Sequence, residues 1–277
     1  MMLNEFTGWK YMGELEQNPG VMLAQGHRRS CACTELINDC PFWSRMATRV
    51  FGDDRPFAPG DRLKPSDHAA LDSKYIPELL KAADSEADHG DSETVFIDSS
   101  KRVSTAQVLA RSGIAEQYFV LLMRQPHGVV NSRVSGAYRP KARGRRTENQ
   151  LIIKSRKLLV AKESMYWRRH NLGLQRYFEA IPEDRKLIIR YEDYVEDPAG
   201  YIERVVQMVQ PDVEYHDEIN YESFPSQHQH AMRGNNLRTS REPIKISLDT
   251  RWQEALPGLE KRIVSVITSK ARKPHRY

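Results

Sequence analysis

Short apolar runs, each closed by a polar tip and followed by a helical pattern, recur three times along the chain. Thr94–Ile97 is apolar and β-rich and ends in Asp98-Ser99-Ser100-Lys101, after which Thr105–Arg111 reads as helix. Tyr118–Met123 (YFVLLM) is continuously apolar and ends at Arg124. A run without alternation predicts a strand buried on both faces, as in a parallel sheet. Pro126 stands where the first turn of a helix tolerates it, and Gly128–Ser135 continues that helix. Lys186–Ile189 is the third run, closed by Arg190-Tyr191-Glu192-Asp193. Pro198 then opens a helix with Ile202, Val205, Val206 and Val209 at i, i+3, i+4 and i+7. Strand, polar tip and helix in alternation predict an α/β fold with a central, largely parallel sheet flanked by helices.

Other segments fill in around that rhythm. A long helical stretch over 149–180 carries apolar pairs at Leu151/Ile152, Leu158/Leu159 and Met165/Tyr166. A last helix, Trp252–Lys270, places Leu256, Leu259, Ile263, Val266 and Ile267 on one face. His68–Ala83 reads as a helix that Pro77 must kink or interrupt. Gly52–Ser66 is a proline- and glycine-rich surface loop, and Ser85–Glu93 a solvated connection. No repeat divides the chain. At 277 residues it can bury a substantial core without disulfides, and 1–277 is expected to be a single domain.

Charge narrows the partners. Lys and Arg total 42 against 37 Asp and Glu, a formal charge of +5. That surplus suits an anionic ligand but is too small to demand nucleic acid. Arg139–Arg146 has five basic residues and Lys270–Arg276 is a basic tail, yet no aromatic interleaving accompanies them, so nucleic-acid binding is disfavoured. No run approaches the roughly 18 to 20 apolar residues of a membrane span. Met1–Lys10 lacks the charged and apolar regions of a secretory signal, so a cytoplasmic protein is expected. The only cysteines, Cys31, Cys33 and Cys40, are too few and too clustered for a disulfide framework. With His27 they would offer four zinc ligands, but the spacing is not that of a common zinc module. A tight loop packed beside Pro41, Phe42 and Trp43 is the favoured reading.

In open parallel sheets, ligands bind beyond the carboxyl ends of the strands. The three tips here carry Lys101, Arg124 and Arg190, and helices start next to them. Free N–H groups at those helix starts favour phosphate or sulfate, which predicts an anion site at this edge. Arg124 ends a strand and Ser132 lies about two turns into the next helix, so a guanidinium fork and a hydroxyl can converge on one phosphate.

These residues carry a resemblance. LLMRQPHGVVNS, with Arg124 and Ser132, resembles the 3′-phosphate-binding segment of sulfotransferases that use 3′-phosphoadenylyl sulfate (PAPS). VFIDSSK at 95–101 is similar to the strand and Ser-Lys tip of the bacterial-type enzymes, and IRYEDYVEDP at 189–198 to their later strand and Pro-started helix. HQHAMRGNNLR at 228–238 resembles their late loop, and GEL at 13–15 followed by Cys-x-Cys-x6-Cys-Pro-Phe-Trp resembles one branch of the family.

The resemblance implies a P-loop-NTPase-like three-layer fold. It implies a sulfotransferase moving a sulfuryl group from PAPS to a hydroxyl or amine acceptor, with no metal required. Arg124, Ser132, Ser100, Gly234, Asn235 and Arg238 would bind PAPS. Lys101 would stabilise charge near the sulfuryl group, and His230 or Glu192 would be the candidate base. The family opens with a strand and a Gly-rich loop around the 5′-phosphosulfate. Only twelve residues precede Gly13, so that strand and loop are expected to be missing. Gly26, Arg29 and Ser30 fall in a similar order but downstream of the register. The alternative is a relative that binds PAP or PAPS without turnover.

Overall fold

The computed structural model describes residues 9–14, 31–52, 65–85, 94–138, 155–213, 223–224, 230–231 and 244–272. In chain order, the elements run β1 (Trp9–Gly13), α1 (Pro41–Phe51), α2 (Pro65–Ser85), β2 (Val95–Asp98), α3 (Val103–Ser112) and β3 (Phe119–Met123). They continue with α4 (Pro126–Tyr138), α5 (Arg156–Glu179), β4 (Lys186–Arg190), α6 (Tyr191–Glu196) and α7 (Pro198–Val209). Last come β5 (Ser223–Phe224), β6 (Ile244–Lys245), α8 (Trp252–Ala255) and α9 (Gly258–Arg272). The architecture is mixed α/β and mostly helical, and the strands pair two by two. The chain divides into two compact units, Met1–Gln117 with Gln210–Ile246, and Tyr118–Val209 with Ser247–Tyr277.

In the first unit β1 and β2 run parallel, Trp9 opposite Val95 and Tyr11 opposite Ile97. A strand therefore does precede the Gly-Glu-Leu segment, where none was expected. The register slips between Tyr11 and Gly13, and Gly13 takes φ 87°, a left-handed value that glycine adopts without penalty. Helices α1 and α2 pack over a core of Met12, Ile37, Trp43, Met46, Ile76 and Leu79. Helix α2 continues through Pro77 without interruption. A proline removes its own N–H from the ladder and crowds the carbonyl four residues back, and the buried stripe Ile76, Leu79, Leu80 and Ala83 holds the turns on either side. Strands β5 and β6 form a short antiparallel pair.

In the second unit β3 and β4 are parallel and fully in register from Phe119–Lys186 to Met123–Arg190. Leu121 and Met123 pack with Trp167 of α5 and with Phe178. Val120 and Leu122 point the other way by strand alternation and are 43% and 52% exposed. The unbroken apolar run thus does not translate into two covered faces within this unit.

The C-terminal helix also departs from its pattern. Pro257 splits it into α8 and α9, and α9 buries Glu260, Val264, Thr268 and Ala271. Leu259 and Val266, expected on the core face, are 52% and 73% exposed. The reason is a polar anchor: Arg156 Nε on α5 donates to both carboxylate oxygens of Glu260 at 3.1 Å, which rotates the small-residue face of α9 inward. On α5 the same effect leaves Leu158 and Met165 exposed while Leu159, Ser164 and Trp167 are buried. No helix among the described residues is long and apolar enough to cross a membrane.

Candidate functional site

The tip of β2 is built by short-range hydrogen bonds. Asp98 Oδ1 accepts from the Ser100 N–H at 2.9 Å and from its hydroxyl at 2.7 Å, closing an Asx-type turn. The Ser99 N–H and hydroxyl both donate to the Gly13 carbonyl, at 2.8 and 3.0 Å. Tyr11 donates to Ser99 Oγ at 2.8 Å, and burial pushes the Tyr11 hydroxyl pKa up. Lys101 points to solvent, with its side chain 59% exposed, and pairs with Glu14 of the Gly-Glu-Leu segment. Ser100, expected to bind PAPS, closes this turn, and Lys101, expected near the sulfuryl group, is paired with Glu14.

The tip of β3 carries Arg124. Its Nη2 donates to Asp249 Oδ2 at 2.8 Å, and its guanidinium lies over the Tyr191 ring, 4.8 Å from the centroid. Tyr191 is itself fixed by a bond from its hydroxyl to the Ser247 carbonyl at 3.0 Å. The guanidinium also lies against Gly128 on α4. A Cβ there would stand 2.9 Å from Nη2. Residues 128 and 132 are one helical turn apart on the same face. The structure therefore lays the Arg124 guanidinium along the helix face that carries Ser132, whose side chain is exposed. The Gln125 N–H donates to Glu192 Oε1 at 3.1 Å, tying the end of β3 to the first turn of α6. The other oxygen, Glu192 Oε2, is buried without a hydrogen-bond partner among the described residues.

Sequence reasoning missed Asp249. It accepts from Arg251 Nε and Nη2, each at 2.7 Å, as well as from Arg124. Arg251, and then Arg124, hold its carboxyl well below the usual range despite partial burial. Nothing local in the sequence marks it, because it lies 125 residues from Arg124. His127 was also passed over. It is 8% exposed, stacks on Trp252 and bonds through Nε2 to Ser265 Oγ at 3.0 Å. Burial is the main cause pushing its pKa down.

His230 lies in the first unit beside the cysteines. Its Nδ1 is 3.2 Å from Cys40 Sγ and 3.8 Å from Cys31 Sγ, and its ring stacks on Phe42 with centroids 5.1 Å apart. Cys33 Sγ is 3.6 Å from Cys40 Sγ, so the two are not disulfide-bonded. Burial raises the pKa of Cys31 and Cys40, and burial followed by the charge of Arg45 lowers that of His230. His27, the fourth ligand considered from sequence, lies outside the described residues, as do Gly234, Asn235, Arg238 and the Gly26, Arg29 and Ser30 set. The same holds for the whole basic cluster Arg139–Arg146.

A sulfotransferase domain from the curacin biosynthetic pathway superposes with a TM-score of 0.54, covering 97% of this chain and 90% of that one at 15% identity. The chain has a sulfotransferase-type fold. A sulfotransferase domain from the Synechococcus PCC 7002 olefin synthase covers 97% of this chain and 94% of that one at 17% identity, with a TM-score of 0.48. A scan against protein-family models finds no match, and a search of curated proteins finds none either. At such identities the likeness is one of backbone.

Proposed function

We propose that this chain, as one domain over 1–277, is a sulfotransferase that moves a sulfuryl group from PAPS to a hydroxyl or amine acceptor. The observation that carries the reading is Arg124. On a fold of sulfotransferase type, it ends a parallel strand and lies along the helix face bearing Ser132. A planar fork with five donors and a nearby hydroxyl suit the three oxygens of the nucleotide's 3′-phosphate. One terminal nitrogen of Arg124 is engaged by Asp249. By the resemblance, Ser100, Gly234, Asn235 and Arg238 add contacts to the nucleotide, and Lys101 serves the sulfuryl end.

Sulfuryl transfer places nucleophile and leaving group in line, with charge spread over peripheral oxygens. Positioning and fixed cations therefore supply most of the acceleration. Lys101 is the cation proposed for that charge, and it must exchange Glu14 for the donor. Its present pairing also favours a second reading, a relative that binds PAP without turnover.

Calorimetry with PAP on the full chain and on Arg124→Ala tests the first half. Loss of the charge-assisted bonds, about 1.5–3 kcal/mol, should weaken binding roughly 10- to 150-fold. Transfer of labelled sulfate from PAPS to a panel of alcohols and amines, with Lys101→Met as a control lowered in turnover rather than affinity, tests the second. No PAP binding by the wild-type chain would sink both readings. Binding without transfer to any acceptor would select the second.

A further inference from the structure

We propose that Cys31, Cys33, Cys40 and His230 form a structural zinc site. Their four ligand atoms all lie within 4.8 Å of one another. Tetrahedral zinc with Zn–S near 2.3 Å and Zn–N near 2.0–2.1 Å requires sulfur atoms about 3.8 Å apart and sulfur–nitrogen separations of about 3.6 Å. Cys33 and Cys40 are 3.6 Å apart, and His230 Nδ1 stands 3.2 and 3.8 Å from Cys40 and Cys31. These three separations are close to those of a coordination shell, the remaining ones lie within 4.8 Å, and the Cys33–Cys40 distance is too long by far for a disulfide. Three soft thiolates and an imidazole select zinc over the hard cations, and four protein ligands leave no open position for chemistry.

The backbone is arranged to hold this shell. Thr34 takes φ 78°, where a β-branched residue seldom goes, and its N–H donates to the Cys31 carbonyl at 3.0 Å. That turn brings Cys31 and Cys33 to one side. Cys40 is the N-cap of α1, where the helix dipole and the Trp43 N–H favour a thiolate. The Ala32 N–H bonds the Ala231 carbonyl at 3.1 Å, so the cysteine segment meets the histidine segment through the backbone too. Stacking on Phe42 fixes the imidazole plane with Nδ1 toward the sulfurs. Metal binding releases the thiol protons to solvent and leaves three thiolates on Zn²⁺, a net charge of −1. His230 is then a ligand through Nδ1 and not a proton carrier, and the metal joins positions 190 residues apart in the chain.

The test is metal content and X-ray absorption on the full-length chain purified from zinc-supplemented cells. About one zinc per chain is expected, with three sulfur neighbours near 2.3 Å and one nitrogen. Cobalt substitution should give thiolate charge-transfer bands and the intense visible bands of tetrahedral coordination. Cys33→Ser, at a half-buried position, should lower zinc content and remove one sulfur from the shell. A wild-type chain without zinc, a shell of oxygen and nitrogen only, a disulfide within the cluster, or the broad absorption of an iron–sulfur centre would each overturn the assignment. None of these readouts depends on sulfotransferase activity.

Discussion

Gly128→Ala separates the proposed phosphate contact from the fold. An alanine Cβ would stand 2.9 Å from Arg124 Nη2, 3.1 Å from Nε and 3.2 Å from Cζ. A carbon cannot remain at 2.9 Å from that nitrogen, and the atoms that must give way end a flexible side chain. The guanidinium moves and the backbone stays. Moving it gives up the bond to Asp249 and the stacking on Tyr191, both partly exposed and worth about 0.5–1 kcal/mol each. Replacing glycine by alanine in a helix returns up to about 1 kcal/mol. The terms nearly cancel, so stability in urea should stay within about 1 kcal/mol of wild type. Binding has no such compensation. Displacing the fork from the Ser132 face should weaken PAP roughly 10-fold or more, the lower end of the charge-assisted range. Parallel urea melts and PAP titrations read both quantities from one preparation. Unchanged PAP affinity at unchanged stability would refute the placement of the phosphate over Gly128.

Two further outcomes test packing and protonation in the second unit. Arg156→Met strands the carboxylate of Glu260, which is 3% exposed, and should cost about 2–3 kcal/mol in urea unfolding. Arg156→Met with Glu260→Leu should recover most of that, and a single variant as stable as wild type would contradict the polar anchor. His127 is held neutral in the fold by burial, with the charges of Arg272 and Lys261 acting in the same direction. Its depressed pKa contributes stability that is full above the unfolded value of about 6.5 and lost as pH falls from there toward the folded value. His127→Gln should flatten thermal stability between about pH 7 and 5 relative to wild type, and parallel profiles would dismiss the assignment.

The strand–tip–helix rhythm was legible because each unit announces itself locally. An apolar run ends at a charge, and Pro126 opens the helix after β3; after β4 the Tyr191–Glu196 tip is itself a short helix, and Pro198 opens the one beyond it. Arg124 was legible for the same reason. What escaped was set by partners distant in sequence. The rotation of α9 depends on Arg156 meeting Glu260, 104 residues away, and periodicity assigned its core face to Leu259 and Val266 instead. The strand β1 hides in WKYMG, a run too short and mixed to stand out, and is defined only by its pairing with β2. The cysteine cluster was visible but its fourth member was not. His27 is near in sequence, whereas His230 arrives through the fold.

Of the cations proposed for the nucleotide, the two among the described residues each hold an acid in their own unit, Lys101 with Glu14 and Arg124 with Asp249. In the proposed function, anion binding would therefore be exchange rather than simple addition, and the sign of the local charge would decide whether it proceeds. Around Arg124 one carboxylate is shared by two guanidiniums, since Asp249 accepts from Arg251 as well. Arg251 keeps Asp249 ionised and draws on both its oxygens, so the group as a whole remains cationic by one charge when a phosphate approaches. Without Arg251, Asp249 would neutralise Arg124 outright and cancel its attraction for an anion. A guanidinium already held by a ring, a carboxylate and a glycine face also loses less rotamer freedom on binding than a free one. An exposed arginine that belongs to no motif thus sets the electrostatics of the one that does.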